Sequence, residues 1–185
     1  MTTTPTRCTE RIVVDTCSLL NWVNGAAFDA IVSLPLTLYV VGPLVEMEST
    51  TIAQFISQHF ASGTLLRLRN EDLDAAVFLD LIDTYGLGEG ETECLAHALA
   101  SNDLVVCSDD RKARGVVAAL LGRQRLTGTI GLLLRCFRSG ISSTDEIARS
   151  HQMMVDAGAF LPPLSARDLG VRTAGETTNP GSAGL

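Results

Sequence analysis

Short apolar runs alternate with stretches of helical period along most of this 185-residue chain. IVVD (12–15), LTLYVV (36–41), TLLRLR (64–69) and LVVC (104–107) read as strands, and RLTGT, opening at Arg125, as a short last one. Between them CSLLNWV and AAFDAIVSL are helical, Pro43 opens a helix running to about Phe60, and EDLDAAVFLDLIDTYG keeps helical period to Gly86. A helix over 90–101 precedes LVVC, DRKARGVVAALLG follows it, and GTIGLLLRCFRSG is a last apolar helix. Strands that alternate with helices are joined by right-handed crossovers, which makes the sheet mostly parallel and covers both of its faces. The expected class is therefore α/β, a three-layer α/β/α sandwich, followed by a helical extension, TDEIARSHQMMVDAG.

A chain of this length, 46% hydrophobic, is expected to bury a substantial core as one domain. Its five cysteines are an odd number without a C-x-x-C pair, and there are only three histidines, which argues against a disulfide framework or a structural zinc site. The start, MTTTPTRCTERIVVD, lacks the apolar stretch of a signal peptide, and no run nears the roughly 20 residues needed to span a bilayer. A cytoplasmic protein with reduced, largely buried thiols is expected. TAGETTNPGSAGL (173–185) has the composition of a disordered tail.

The net charge of −7 is unevenly spread. Residues 1–110 hold sixteen of the 21 acids, whereas residues 111–144 hold Arg111, Lys112, Arg114, Arg123, Arg125, Arg135 and Arg138 with no acid at all. A segment of this kind is either a solvated face or a grip for a polyanion such as a phosphate backbone.

The acids fall into a spatial pattern once placed on the expected fold. Asp15 ends the first strand, and Asp109 and Asp110 follow LVVC by one residue. In an open parallel sheet the ligand crevice lies beyond the carboxyl ends of the strands, so these acids enter one crevice. Glu91 stands in the first turn of the helix before LVVC, and Glu46 and Glu48 in the first turns of the helix after the second strand, all at that same end. Singly, each acid also reads as a turn, cap or dipole residue. Jointly, clustered carboxylates repel unless a cation neutralises them, and oxygen-only ligands favour Mg²⁺ or Mn²⁺. On this reading Glu91 is a metal-site acid and Glu93 an auxiliary.

The ordered motifs IVVDTCSLLNWV, VEME, GEGETECLAHA, VVCSDDRKAR and LTGTIGLLLR resemble the PIN-domain family of metal-dependent ribonucleases. The nearest branch reads G-E-x-E-x-x-x-L-A, D-D-x-x-A-R and T-G-T, and the resemblance covers about residues 11–140. It implies an N-terminal arm (1–10), a nuclease domain (11–140), a helical extension (141–172) and the tail (173–185). Carried over by position, the site acids are Asp15, Glu48 (with Glu46 as rival), Glu91, Asp109 and Asp110. Asp15, Glu91 and Asp109 are expected as principal metal ligands, with Glu48 and Asp110 in supporting or water-positioning roles. Arg111, Lys112 and Arg114 are expected to hold flanking RNA phosphates. Where the family often has a serine two residues after its first aspartate, this chain has Cys17, and Thr16 or Ser18 would have to supply the hydroxyl.

The resemblance implies an endoribonuclease that uses Mg²⁺ or Mn²⁺. Many bacterial members are similar to VapC toxins, which are silenced by an antitoxin from a neighbouring gene. A homodimer stays open, and no membrane partner is expected. Two alternatives stand beside it: an inactive PIN-like module for RNA binding or protein interaction, and a phosphatase of the haloacid dehalogenase type. The latter needs a second acid two residues after the first, where Cys17 stands.

Overall fold

In a computed structural model, which describes residues 9–41, 50–69, 71 and 73–164, five strands form one parallel sheet. They are β1 (Glu10–Val14), β2 (Leu36–Val40), β3 (Leu65–Arg67), β4 (Leu104–Cys107) and β5 (Leu126–Thr127), in the spatial order β3-β2-β1-β4-β5. Val14 lies beside Val40 on one side and Cys107 on the other, and Cys107 beside Thr127. The residues that follow β1, β4 and β5 therefore leave the sheet at one end, with Asp15 and Asp109 among them.

Strand alternation divides the core into two. Ile12, Val14, Val105 and Cys107 face one layer, built by α1 (Thr16–Asn24), α2 (Phe28–Val32), α3 (Thr50–Ala61), α7 (Thr129–Arg138) and α8 (Thr144–Asp156). Val13, Leu104 and Val106 face the other, built by α4 (Ala75–Tyr85), α5 (Glu89–Ala100) and α6 (Arg111–Leu121). The expected three-layer sandwich is present, and both sheet faces are covered, as a parallel sheet requires. Trp22, Leu19, Leu132 and Met154 are fully buried, each such side chain contributing roughly 1.5–3 kcal/mol relative to exposure.

Local chemistry sets the helix ends. Asp74 caps α4 through the Ala76 amide, and Gly86, left-handed at φ 57, ends it. Ser143 and Glu146 close a reciprocal capping box on α8. That helix lies against the end of α1, where a Cβ on Gly25 would come within 2.4 Å of Met154 Cε. The same Cβ would lie 2.9 Å from the Ser150 carbonyl oxygen, a backbone atom that cannot swing aside as the methionine can.

The last strand is two residues long, and directly after it the Thr129 amide donates to Asp109 Oδ1. Among the described residues no helix is long and apolar enough to cross a membrane. Cys94, Cys107 and Cys136 are buried thiols, the first two pushed far up in pKa by burial and the third to about 11 for the same reason, while Cys17 is exposed. The expected tail (173–185) and the acids Glu46 and Glu48 lie outside the described residues.

Candidate functional site

Asp15 reaches the site on the end of β1. Its amide donates to the Cys107 carbonyl at 3.1 Å, and its Oδ1 caps α1 by accepting from the Ser18 amide at 2.6 Å. The residue is 2% exposed, and Oδ2 is buried without a hydrogen-bond partner among the described residues. Burial pushes the carboxyl above its ordinary pKa, and the charge of Asp109 adds to the rise. The nearby Ser108 and Ser18 hydroxyls draw it partly back, though neither completes a hydrogen bond to Oδ2.

Asp109, half-buried after β4, is held on all sides. Oδ1 accepts from the Thr129 amide at 2.8 Å; Oδ2 accepts from Asn21 Nδ2 at 2.9 Å and from the Thr129 hydroxyl. That hydroxyl in turn accepts from Trp22 Nε1 at 2.9 Å. The T-G-T motif thus has a physical reason. Thr129 grips the carboxylate, and Gly128 leaves room for it, since a Cβ there would lie 2.9 Å from Asp109 Oδ1 and 2.6 Å from an Arg114 guanidinium nitrogen.

The remaining acids are placed less simply. Asp110 caps α6, its Oδ1 accepting from the Ala113 amide at 2.7 Å. Glu91 caps the start of α5, Oε2 accepting from the Gly88 amide at 3.0 Å. The first turn of α5 does lie beside Asp15, for Gly90 approaches the Thr16 hydroxyl, and the Cys94 thiol feels the charges of Asp15, Glu93 and Glu91 together. Glu93 is the more deeply buried of the two glutamates, at 7% exposure. Glu48 and its rival Glu46 lie outside the described residues.

The basic segment separates into parts. Lys112 Nζ donates to the Gly86 carbonyl at 2.6 Å, and Arg114 to the carbonyls of Ser108 and Thr127, both at 2.7 Å. Arg114 therefore ties the ends of β4 and β5 together beneath Asp109. Arg111 is exposed at the same end, with no hydrogen bond or ion pair among the described residues. Arg125 and Arg135 sit at the opposite end of the sheet, Arg125 on the carbonyls of Ala98, Ser101 and Leu104, Arg135 paired with Glu10. Arg123 and Arg138 are exposed on that far side.

Two clefts, of about 510 and about 550 Å³, open at the acidic end, and Asp109, Arg111 and Phe160 line both. Among the described residues no three His, Cys, Asp or Glu side chains are grouped closely enough to hold one ion. The donors present nevertheless suit a hard divalent cation: Asp15 Oδ2 is a buried carboxylate oxygen without a hydrogen-bond partner among the described residues, and Asp109 keeps lone pairs beyond its three bonds. Sequence reasoning missed the roles of Asn21, Thr129 and Trp22 in fixing Asp109. The T-G-T motif was a signal for Thr129; nothing in NWV marked Asn21. It also missed Phe160, which no motif contains.

Compared with known families, residues 11–169 match the family model DUF3368, described as a PIN domain. No curated protein and no solved structure shows significant similarity to the chain.

Proposed function

Since the chain belongs to the PIN-domain family, whose members are in general nucleases and generally use divalent metal ions, we propose that it is an endoribonuclease dependent on Mg²⁺ or Mn²⁺. The observation that supports this most is the buried, unpartnered Oδ2 of Asp15 beside the charge of Asp109 at the carboxyl ends of β1 and β4. Folding an ionised carboxylate into that position is costly unless a cation shares it.

Asp15 and Asp109 hold the ion, with Glu91 a third ligand once its carboxylate leaves the Gly88 amide. Glu48 and Asp110 support them, and Glu93 is an auxiliary acid. When bound, the cation lowers the pKa of the attacking water and offsets charge on the phosphate oxygens. The chain's own residues supply position. Asn21 and Thr129 fix the angle of the Asp109 carboxylate, Arg114 fixes the backbone beneath it, and Arg111 and Lys112 take flanking phosphates. Asp110 keeps α6 started at the site, which points the positive end of that helix towards the substrate.

The nuclease unit spans residues 11–140, followed by the extension over 141–172, and the chain works in the cytoplasm as the toxin of a toxin–antitoxin pair of the VapC kind. The rival is a PIN module without catalysis, and the engagement of Glu91 in its own helix cap favours it. Incubation of the full chain with mixed RNA, with chelator and then with Mn²⁺ or Mg²⁺, decides between them. Cleavage that appears only with the metal is expected, and intact RNA in every condition would leave the inactive module. Co-expression with the product of the adjacent gene tests the toxin assignment, the expected result being suppressed cleavage.

A further inference from the structure

Phe160 is 99% exposed, the most exposed large apolar side chain among the described residues. Its neighbours hold it there. α8 ends with amides of Ala157, Gly158 and Ala159 turned back on the helix, and Gly158 takes φ +96. Ala159, Leu161 and Leu164 then pack on the core, and the Pro162 carbonyl is bonded to His151 Nε2 at 2.9 Å. Anchored residues on both sides thus leave the Phe160 ring standing in solvent, which is a presentation rather than a frayed end.

The location is informative. Phe160 and Arg111 line both clefts, and both clefts meet Asp109. An aromatic ring and a guanidinium with no partner among the described residues therefore form a ridge beside the carboxylate, with a nucleotide-sized space on each side. Single-stranded nucleic acid is bound by this combination, rings stacking on bases while arginines take phosphates. We propose that Phe160 is a base-stacking platform, seating one nucleobase of a single-stranded RNA next to Asp109 while Arg111 holds the adjoining phosphate. The assignment rests on the ribonuclease reading of the site and adds to it how the strand is placed.

The test compares the full-length wild type with Phe160→Ala and Phe160→Trp. A short single-stranded oligoribonucleotide carrying 2-aminopurine, and a matching strand with abasic positions, are titrated in chelator, and the Mn²⁺-dependent KM and kcat are measured separately. Phe160→Ala is expected to weaken binding about tenfold or more and to raise KM with little change in kcat, whereas Phe160→Trp retains binding and quenches the probe. The abasic strand should bind wild type and Phe160→Ala alike. Equal binding of the base-containing strand by wild type and Phe160→Ala would overturn the platform, as would a lower melting temperature for Phe160→Ala, which would make the ring a packing residue. A loss of adjacent-gene partner binding in Phe160→Ala with RNA affinity intact would assign the ring to a protein interface instead. Base-dependent binding without cleavage defeats the ribonuclease reading and keeps the platform; cleavage with unchanged KM in Phe160→Ala does the reverse.

Discussion

The two ends of the sheet carry charge in opposite ways. Where the strands begin, ionic groups meet partners in the chain itself: Arg125 takes the carbonyls of Ala98, Ser101 and Leu104, Arg135 pairs with Glu10, and Arg11 with Asp103 at 3.0 Å. Where the strands end, Asp15 Oδ2 is buried without a partner and Arg111 is exposed without one among the described residues. Arg11, Arg125 and Arg135 thus close the structure at the first end, whereas Asp15 and Arg111 at the second await something from outside. An unmet buried carboxylate is expensive, so its retention at the end where a parallel sheet places its ligands is an argument for function that the satisfied end cannot supply.

The largest effect should fall on catalysis. Asp15→Asn and Asp109→Asn should each lower metal-dependent cleavage by about a hundredfold or more, the scale of losing a group that stabilises developing charge. Arg125→Ala, at the satisfied end, should leave kcat unchanged below its melting temperature. Its cost is in stability, since losing charged hydrogen bonds to several carbonyls is worth about 2 to 3 kcal/mol and roughly 5 to 10 °C in a chain of this size. Thermal melts paired with cleavage assays check both. Should Arg125→Ala abolish cleavage while the fold persists, the two ends would not be independent.

Only part of this contrast could be read before the structure. Alternating strands and helices announced the parallel sheet, and chain order alone brought Asp15 and Asp109 to one end of it, because topology acts through backbone direction. The charge run 111–144 was opaque for the converse reason. Residues spread along α6, the following turn and α7 travel from one end of the sheet to the other, so Arg111 and Arg125 are near in sequence and far in role. Spacing says nothing of which guanidinium meets a carbonyl. Glu91 shows the same limit, since its position fits both a metal ligand and an acid at a helix start, and here its carboxylate is on the Gly88 amide.

A sharper comparison lies within the acidic end. Both Asp109 oxygens accept hydrogen bonds, whereas Asp15 Oδ2 accepts none among the described residues, so their amide variants should differ without metal. Asp109→Asn turns an NH₂ towards donors from Thr129 and Asn21, which should cost about 1–3 kcal/mol. Asp15→Asn keeps an acceptor for the Ser18 amide and removes a buried charge, so it should melt at or above wild type in chelator. Mn²⁺ at a hundred times its Kd should stabilise wild type by about 2.7 kcal/mol and either variant much less. Equal destabilisation of both variants, with wild type indifferent to metal, would return the two aspartates to helix capping and turn roles.

The smallest effect is in the pH dependence. Asp15 has a raised pKa in the folded chain, through burial first and then the charge of Asp109, so the folded state holds that proton more tightly than the unfolded one. Its contribution to stability is present below the ordinary carboxylate value and is lost as the pH rises through the raised one. Asp103 and Glu146 act in the opposite sense: hydrogen bonds from Ser101 and from the Ser143 amide lower their pKa values, so their contributions are lost on acidification. The Asp15 effect is therefore to be read as a difference, wild type minus Asp15→Asn, in chelator, where the other carboxyls cancel. That difference should favour wild type increasingly as the pH falls from neutral through the raised pKa of Asp15. With Mn²⁺ present the trend should invert, because the cation competes with the proton for the same oxygens and its stabilisation of wild type fades in acid. A difference that stays flat across this window in chelator would mean that Asp15 is ionised as readily in the folded chain as in the unfolded one, and the contrast between the two ends of the sheet would lose its strongest member.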